Sequence, residues 1–152
     1  MKSEEGEELF LRKILKGKYE GFQTYEERIK AYRLRFFSKI PEGSKLNEIL
    51  EVYRENSPES NLCNTNQSEL NSVKYADVID KDAVRSLFNH FKGDQLVEKQ
   101  HELARLLKSV FKVTKQASYY QGLNDVMGIL MLEYGSEECL EIFEGLINYN
   151  LR

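Results

Sequence analysis

One arginine and one glutamine, each set in a short constellation, are the residues of this chain with the sharpest chemical use. Arg85 closes the run Ile79-Asp80-Lys81-Asp82-Ala83-Val84-Arg85, at a helical offset from an apolar residue and a carboxylate. Gln121 sits in Tyr119-Tyr120-Gln121-Gly122-Leu123-Asn124-Asp125, with a glycine directly after it. A guanidinium is permanently charged, planar and forked, so it neutralises charge building on transferring phosphoryl oxygens. A carboxamide both accepts and donates, which lets it line up a water for attack. Neither side chain is a nucleophile or a general base at neutral pH. The chemistry they suit is completion of an active site that another molecule supplies.

Other chemistries find little support. His90 and His101 have no H-E-x-x-H spacing and no cysteine partner, which argues against a metal site. Ser118 lacks the G-x-S-x-G pattern of a nucleophile elbow. Cys63 and Cys139 form no C-x-x-C pair, a usage that fits reduced thiols in a cytosolic protein. The net charge is −3, and acids and bases are interleaved, so no cationic stripe awaits nucleic-acid phosphates. The first residues, Met1 to Glu8, are acidic and do not read as a signal peptide. The longest apolar run, Val126 to Leu132, falls well short of the ~20 residues a membrane-spanning helix needs.

The elements that must position Arg85 and Gln121 read as helices almost throughout. The 152 residues, 41% of them hydrophobic with 8 Phe and 9 Tyr, are enough for one domain with a real core. Leu9, Phe10, Ile14 and Leu15 mark a first short helix. Thr24 and Glu27 form a capping box for a second, with Tyr25, Ile29, Tyr32, Phe36 and Phe37 as its apolar face until Pro41 and Gly43. Ser44 caps a third helix, carrying Leu46, Ile49, Leu50 and Tyr53, that Ser57-Pro58 stops. From 55 to 72 the chain is polar and without apolar repeat, which predicts an exposed loop.

After that loop, Asp77 is expected to cap a helix using Ile79, Ala83, Val84, Leu87, Phe88 and Phe91, ending at Gly93 and carrying Arg85. Asp94 opens the most regular helix, with Leu96, Leu103, Leu106, Leu107, Val110 and Phe111 in one stripe and a solvated Lys/Glu face opposite. The pattern breaks from Thr114 to Tyr120, and Gly122 places Gln121 at a turn before the apolar helix around Val126 to Leu132, whose Met127 and Met131 read as core packing. A last helix from Ser136 presents Cys139, Leu140, Ile142, Phe143, Leu146 and Ile147, a wide apolar face with no later helix to cover it. Self-association is the expected consequence. The class is all-α.

The two constellations resemble the signature motifs I-x-x-D-x-x-R and Y-x-Q-G-x-x-D of TBC-domain Rab GTPase-activating proteins. Every fixed position is matched, by Ile79, Asp82 and Arg85 and by Tyr119, Gln121, Gly122 and Asp125. Arg28-Ile29-Lys30-Ala31-Tyr32 takes the place of the family's R-x-x-x-W element, with tyrosine for tryptophan in a chain that has 0 Trp. The resemblance implies a multi-helix TBC-type fold in which Arg85 is an arginine finger and Gln121 a glutamine finger, presented to a GTP-bound Rab. Against this stands the plainer reading of Arg85 as a surface arginine paired with Asp82 at i,i+3, worth only ~0.2–0.5 kcal/mol. Asp82 and Asp125 then orient, the former aiming the guanidinium and the latter also capping the following helix, while Ile79 and Tyr119 anchor the motifs in the core.

The resemblance also implies that GTP and Mg²⁺ travel with the Rab, so that the chain needs no cofactor of its own. Family domains continue past the Y-x-Q-G motif into a second helical lobe. The expectation is therefore an extension over 1–20 and a partial, amino-terminal TBC lobe over 21–152, whose rival is a non-catalytic Rab-binding or protein-interaction module. Relatives with a similar Y-Y-Q-G spelling include members anchored at the endoplasmic reticulum. A cytoplasmic protein brought to endoplasmic reticulum or Golgi membranes by its Rab is the matching location.

Overall fold

A computed structural model describes residues 44–57, 72–115 and 117–147, together with Thr24, Glu26, Glu27, Ala31 and Leu70. The chain divides into two units, Met1–Glu42 and Gly43–Arg152. In the first, the Glu27 backbone N–H donates to Thr24 Oγ1 at 3.1 Å, the forward half of the expected capping box. The expected first helix, the apolar face from Tyr25 to Phe37, Arg28 and Tyr32, most of the 55–72 loop and Cys63 lie outside the described residues.

The second unit contains, among the described residues, five helices and no strand. They are α1 (Leu46–Glu55), α2 (Ala76–Ala83), α3 (Gly93–Val113), α4 (Leu123–Tyr134) and α5 (Ser136–Gly145). The all-α class holds. Among the described residues no helix is long and apolar enough to cross a membrane.

The architecture is organised around α3, which touches each of the other four. Leu103, Leu106, Leu107 and Val110 are fully buried on it, at the i, i+3, i+4, i+7 spacing that makes one continuous stripe. Burying each such side chain contributes roughly 1.5–3 kcal/mol. Partners on several sides have a further result. The solvated face expected opposite the stripe holds only over the first half of α3, because Lys108 and Ser109 are buried in the second. The Lys108 ammonium pairs with Asp80 of α2, 2.7 Å from Oδ1 and 2.9 Å from Oδ2.

Two helix ends differ from expectation in instructive ways. Ser44 Oγ does accept from the Leu46 N–H at 3.3 Å, but Ser44 stands one place ahead of the cap residue, Lys45. The stronger acceptor comes from α5, where the buried Glu144 carboxylate takes the Lys45 N–H at 2.7 Å and the Ser44 hydroxyl at 2.8 Å. A helix N-terminus offers unsatisfied N–H groups and a positive dipole end, so a carboxylate from a distant helix serves as its cap.

The uncovered face expected on the last helix is also corrected. Cys139, Leu140, Ile142 and Phe143 are at most 1% exposed, and Ile147 is 9% exposed. α5 folds back against α4, α1 and α3, so its apolar side closes the core instead of opening a surface for self-association.

Candidate functional site

The first motif begins as helix and ends as turn. Ile79 is fully buried on α2 and anchors it. The expected helix through Phe91 stops at Ala83, however, and Arg85 stands in the turn that follows. Three contacts explain the stop. The Arg85 N–H reaches back three residues to the Asp82 carbonyl, at 3.1 Å, tightening the coil. Gln100 of α3 donates through Nε2 to the carbonyls of Val84 and Ser86, at 3.1 and 2.9 Å, claiming acceptors that a longer helix would use. Leu87 then adopts φ 69°, a left-handed conformation that costs a branched-tip residue on the order of 1 kcal/mol or more. Gly93, expected to close this helix, opens α3, and Asp77 lies in the first turn of α2 after the cap residue Tyr75.

The turn leaves Arg85 exposed. Its Nε donates to the Lys81 carbonyl at 3.2 Å, and among the described residues its terminal amino groups make no hydrogen bond. No ion pair with Asp82 forms among the described residues. The Asp82 carboxylate, 7% exposed, instead accepts from the Tyr119 hydroxyl at 2.8 Å, tying the first motif to the second.

The second motif is built on that tie. Tyr119 is held by edge-on contact with Phe111, ring centroids 5.5 Å apart at 88°, and Phe111 in turn meets Tyr75 at 6.0 Å. Burial, and then the neighbouring Asp82 carboxylate, push the Tyr119 hydroxyl far above its ordinary titration range, so it remains a donor. Gln121 follows on the turn that heads α4 and is exposed, as the Gly122 turn implied. Gly122 is the cap residue of α4 with φ 105°, a conformation that L side chains rarely adopt, while Asp125 sits in the first turn without capping.

Sequence reasoning did not single out Asn124. Its Oδ1 accepts from the Gly122 N–H at 3.1 Å, and its Nδ2 donates to Ser86 Oγ at 2.8 Å. Ser86 Oγ in turn donates to the Asp82 carbonyl at 2.9 Å. One carboxamide thus joins the residue after Gln121 to the residue after Arg85. Asparagine two positions beyond an αL glycine is a local turn signal; its long-range partner leaves no trace in sequence.

Between the motifs lies a groove of about 320 Å³, lined by Arg85 to His90 on one side and by Asn124, Asp125, Gly128, Ile129 and Leu132 of α4 on the other. Arg85, Asp125 and Asn124 meet there; Gln121 is not part of its lining. The groove is lined by one guanidinium, one carboxylate and the exposed apolar side chains of Phe88, Ile129 and Leu132.

The site therefore defines a helical domain that displays one arginine and one glutamine on two loops pinned to each other. The chain belongs to the Rab-GTPase-TBC domain family, whose family model matches residues 28–152. It is similar to the GTPase-activating protein gyp10 of Schizosaccharomyces pombe, 38% identical over 72 residues. That stretch is 47% of this chain and 19% of the relative, so the chain spans about a fifth of that protein's length. No solved structure matches the chain.

Proposed function

We propose that this chain, as the amino-terminal part of a TBC domain with residues 1–20 as an extension, accelerates GTP hydrolysis on a GTP-bound Rab. Arg85 stabilises charge on the transferring phosphoryl group and Gln121 orients the attacking water. GTP and Mg²⁺ belong to the Rab, and the Rab brings this otherwise cytoplasmic domain to endomembranes during vesicle transport. The observation that carries the reading is that both side chains are exposed on loops joined through Asn124. A side chain kept for stability is usually buried among partners, whereas these two face outward from a rigid support.

The deciding measurement is single-turnover GTP hydrolysis by a panel of Rabs with and without the chain. A trans arginine is worth on the order of 10³–10⁵ in rate in Ras-type systems. Arg85→Ala and Arg85→Lys are both expected to abolish most stimulation, since lysine keeps the charge but not the fork. Gln121→Ala is expected to slow turnover with little change in affinity. Helicity should be unchanged in all three. Wild-type rates in either Arg85 variant sink the assignment, and Rab binding without stimulation by the wild-type chain selects the non-catalytic binding module instead.

A further inference from the structure

We propose that one face of α4 is the jig that sets both fingers, with Asn124 as its positioning residue; this rests on the GTPase-activating reading above. Asn124 and Gly128 are spaced i, i+4 and so lie one above the other on the same face of α4. Both meet the Arg85 turn. Asn124 holds Ser86 by the 2.8 Å hydrogen bond, and Gly128 leaves room for Leu87, whose Cδ2 lies 3.3 Å from where a Cβ would stand. Gln121 is set at the amino end of the same helix, where Asn124 Oδ1 fixes the Gly122 N–H.

The physical consequence is shared geometry. A finger on a free turn samples many positions, and misplacement by about 1 Å can cost on the order of 10²-fold in rate. The Arg85 turn is held to α2 by its own backbone bonds and to α3 by Gln100, but none of these reaches the glutamine turn. Asn124 supplies that link, holding Ser86 with the same carboxamide that fixes the glutamine turn. It is buried, 7% exposed, with its carboxamide taken up by Ser86 and Gly122, so it acts through Arg85 and Gln121. With its carboxamide removed, Ser86 and Gly122 each lose a partner, and the Tyr119–Asp82 bond is left to tie the motifs without holding the residues next to Arg85 and Gln121.

The test compares Asn124→Ala, Ser86→Ala and the double variant, each in the full chain, by single-turnover hydrolysis with the responsive Rab. The expected result is a fall in kcat of about 10-fold or more with KM unchanged in Asn124→Ala, a smaller fall in Ser86→Ala, which keeps the Gly122 contact, and a double variant well short of the product of the two, because both remove the Asn124–Ser86 bond. In an Arg85→Ala background Ser86→Ala should lower kcat further by much less than it does alone, while Asn124→Ala keeps the part of its effect that acts through Gln121. A merely structural residue would change melting temperature without this kcat-against-KM split or this dependence on Arg85. Amide hydrogen exchange provides a readout that needs no activity: Gly122 protection should fall in Asn124→Ala and persist in Ser86→Ala. Unchanged kcat, fully additive losses, or unchanged Gly122 exchange in Asn124→Ala overturns the jig. A wild-type chain that stimulates no Rab overturns the functional reading, and is told apart from failure of the jig by the exchange result.

Discussion

The bond that most directly joins the two motifs is between Tyr119 and Asp82, and its worth follows from where it sits. Asp82 is a buried residue, 7% exposed, and its carboxylate accepts the phenolic donor at 2.8 Å. Tyr119→Phe removes that donor and keeps the ring that packs on Phe111, which isolates the hydroxyl from the aromatic contact. We expect a loss of about 1–3 kcal/mol in urea denaturation with the m-value unchanged. Adding Asp82→Asn should cost less than the sum of the single losses, since both changes act on one interaction. Strict additivity would mean that Asp82 is held by something else. Asp82 faces Tyr119 and makes no ion pair with the Arg85 guanidinium among the described residues.

At the scale of elements, α5 closes the core by bringing a thiol into it. Cys139 is fully buried, its Sγ donating to the Ser136 carbonyl at 3.1 Å with Met127 sulfur 3.8 Å away. Burial, with a smaller contribution from the Glu102 charge, pushes this thiol from the usual 9.0 up to about 12. The sign follows from proton counting. Between those values the unfolded chain has released its thiol proton while the folded chain still binds it, so rising pH favours unfolding. The contribution is intact below pH 9 and is lost progressively from pH 9 to about 12, at about 1.4 kcal/mol per pH unit. In a Cys63→Ser background, denaturation from pH 8 to 11 should show a steep alkaline fall that Cys139→Ala makes shallower, even though that variant starts less stable at pH 8. Parallel pH profiles for the two proteins would show that Cys139 is not responsible. Tyr119, also raised, adds to the fall only above pH 10.

For the molecule as a whole, sequence periodicity was enough to find α1, α3, α4 and α5, because each carries an apolar stripe dictated by its own residues. It overextended α2. Val84, Leu87, Phe88 and Phe91 continue a helical pattern, yet Gln100 captures two carbonyls and the chain turns, and no local signal encodes a partner on another helix. Arg85 and Gln121 were legible as chemistry, but the joint between them was not, since Asn124 and Ser86 meet only in three dimensions. The same turn produces the feature of the surface most open to test. Phe88, on the turn after α2, lines the Arg85 groove with Ile129 and Leu132, at 55%, 61% and 37% exposure. Large apolar side chains gathered beside Arg85 and Asp125 favour contact with a protein surface over contact with a free nucleotide. If the groove receives the Rab, Ile129→Ser and Phe88→Ser should each raise KM about 10-fold while leaving kcat within about 2-fold, the reverse of the Asn124 result. Removing side chains this exposed should change folding stability by no more than about 0.5 kcal/mol, so a binding defect cannot be blamed on unfolding. The apolar share of the contact should also make KM only weakly dependent on salt, within about 3-fold between 0.05 and 0.5 M, because screening acts on charges. Unchanged KM in both serine variants, or a loss confined to kcat, would place the Rab-binding surface elsewhere on the domain.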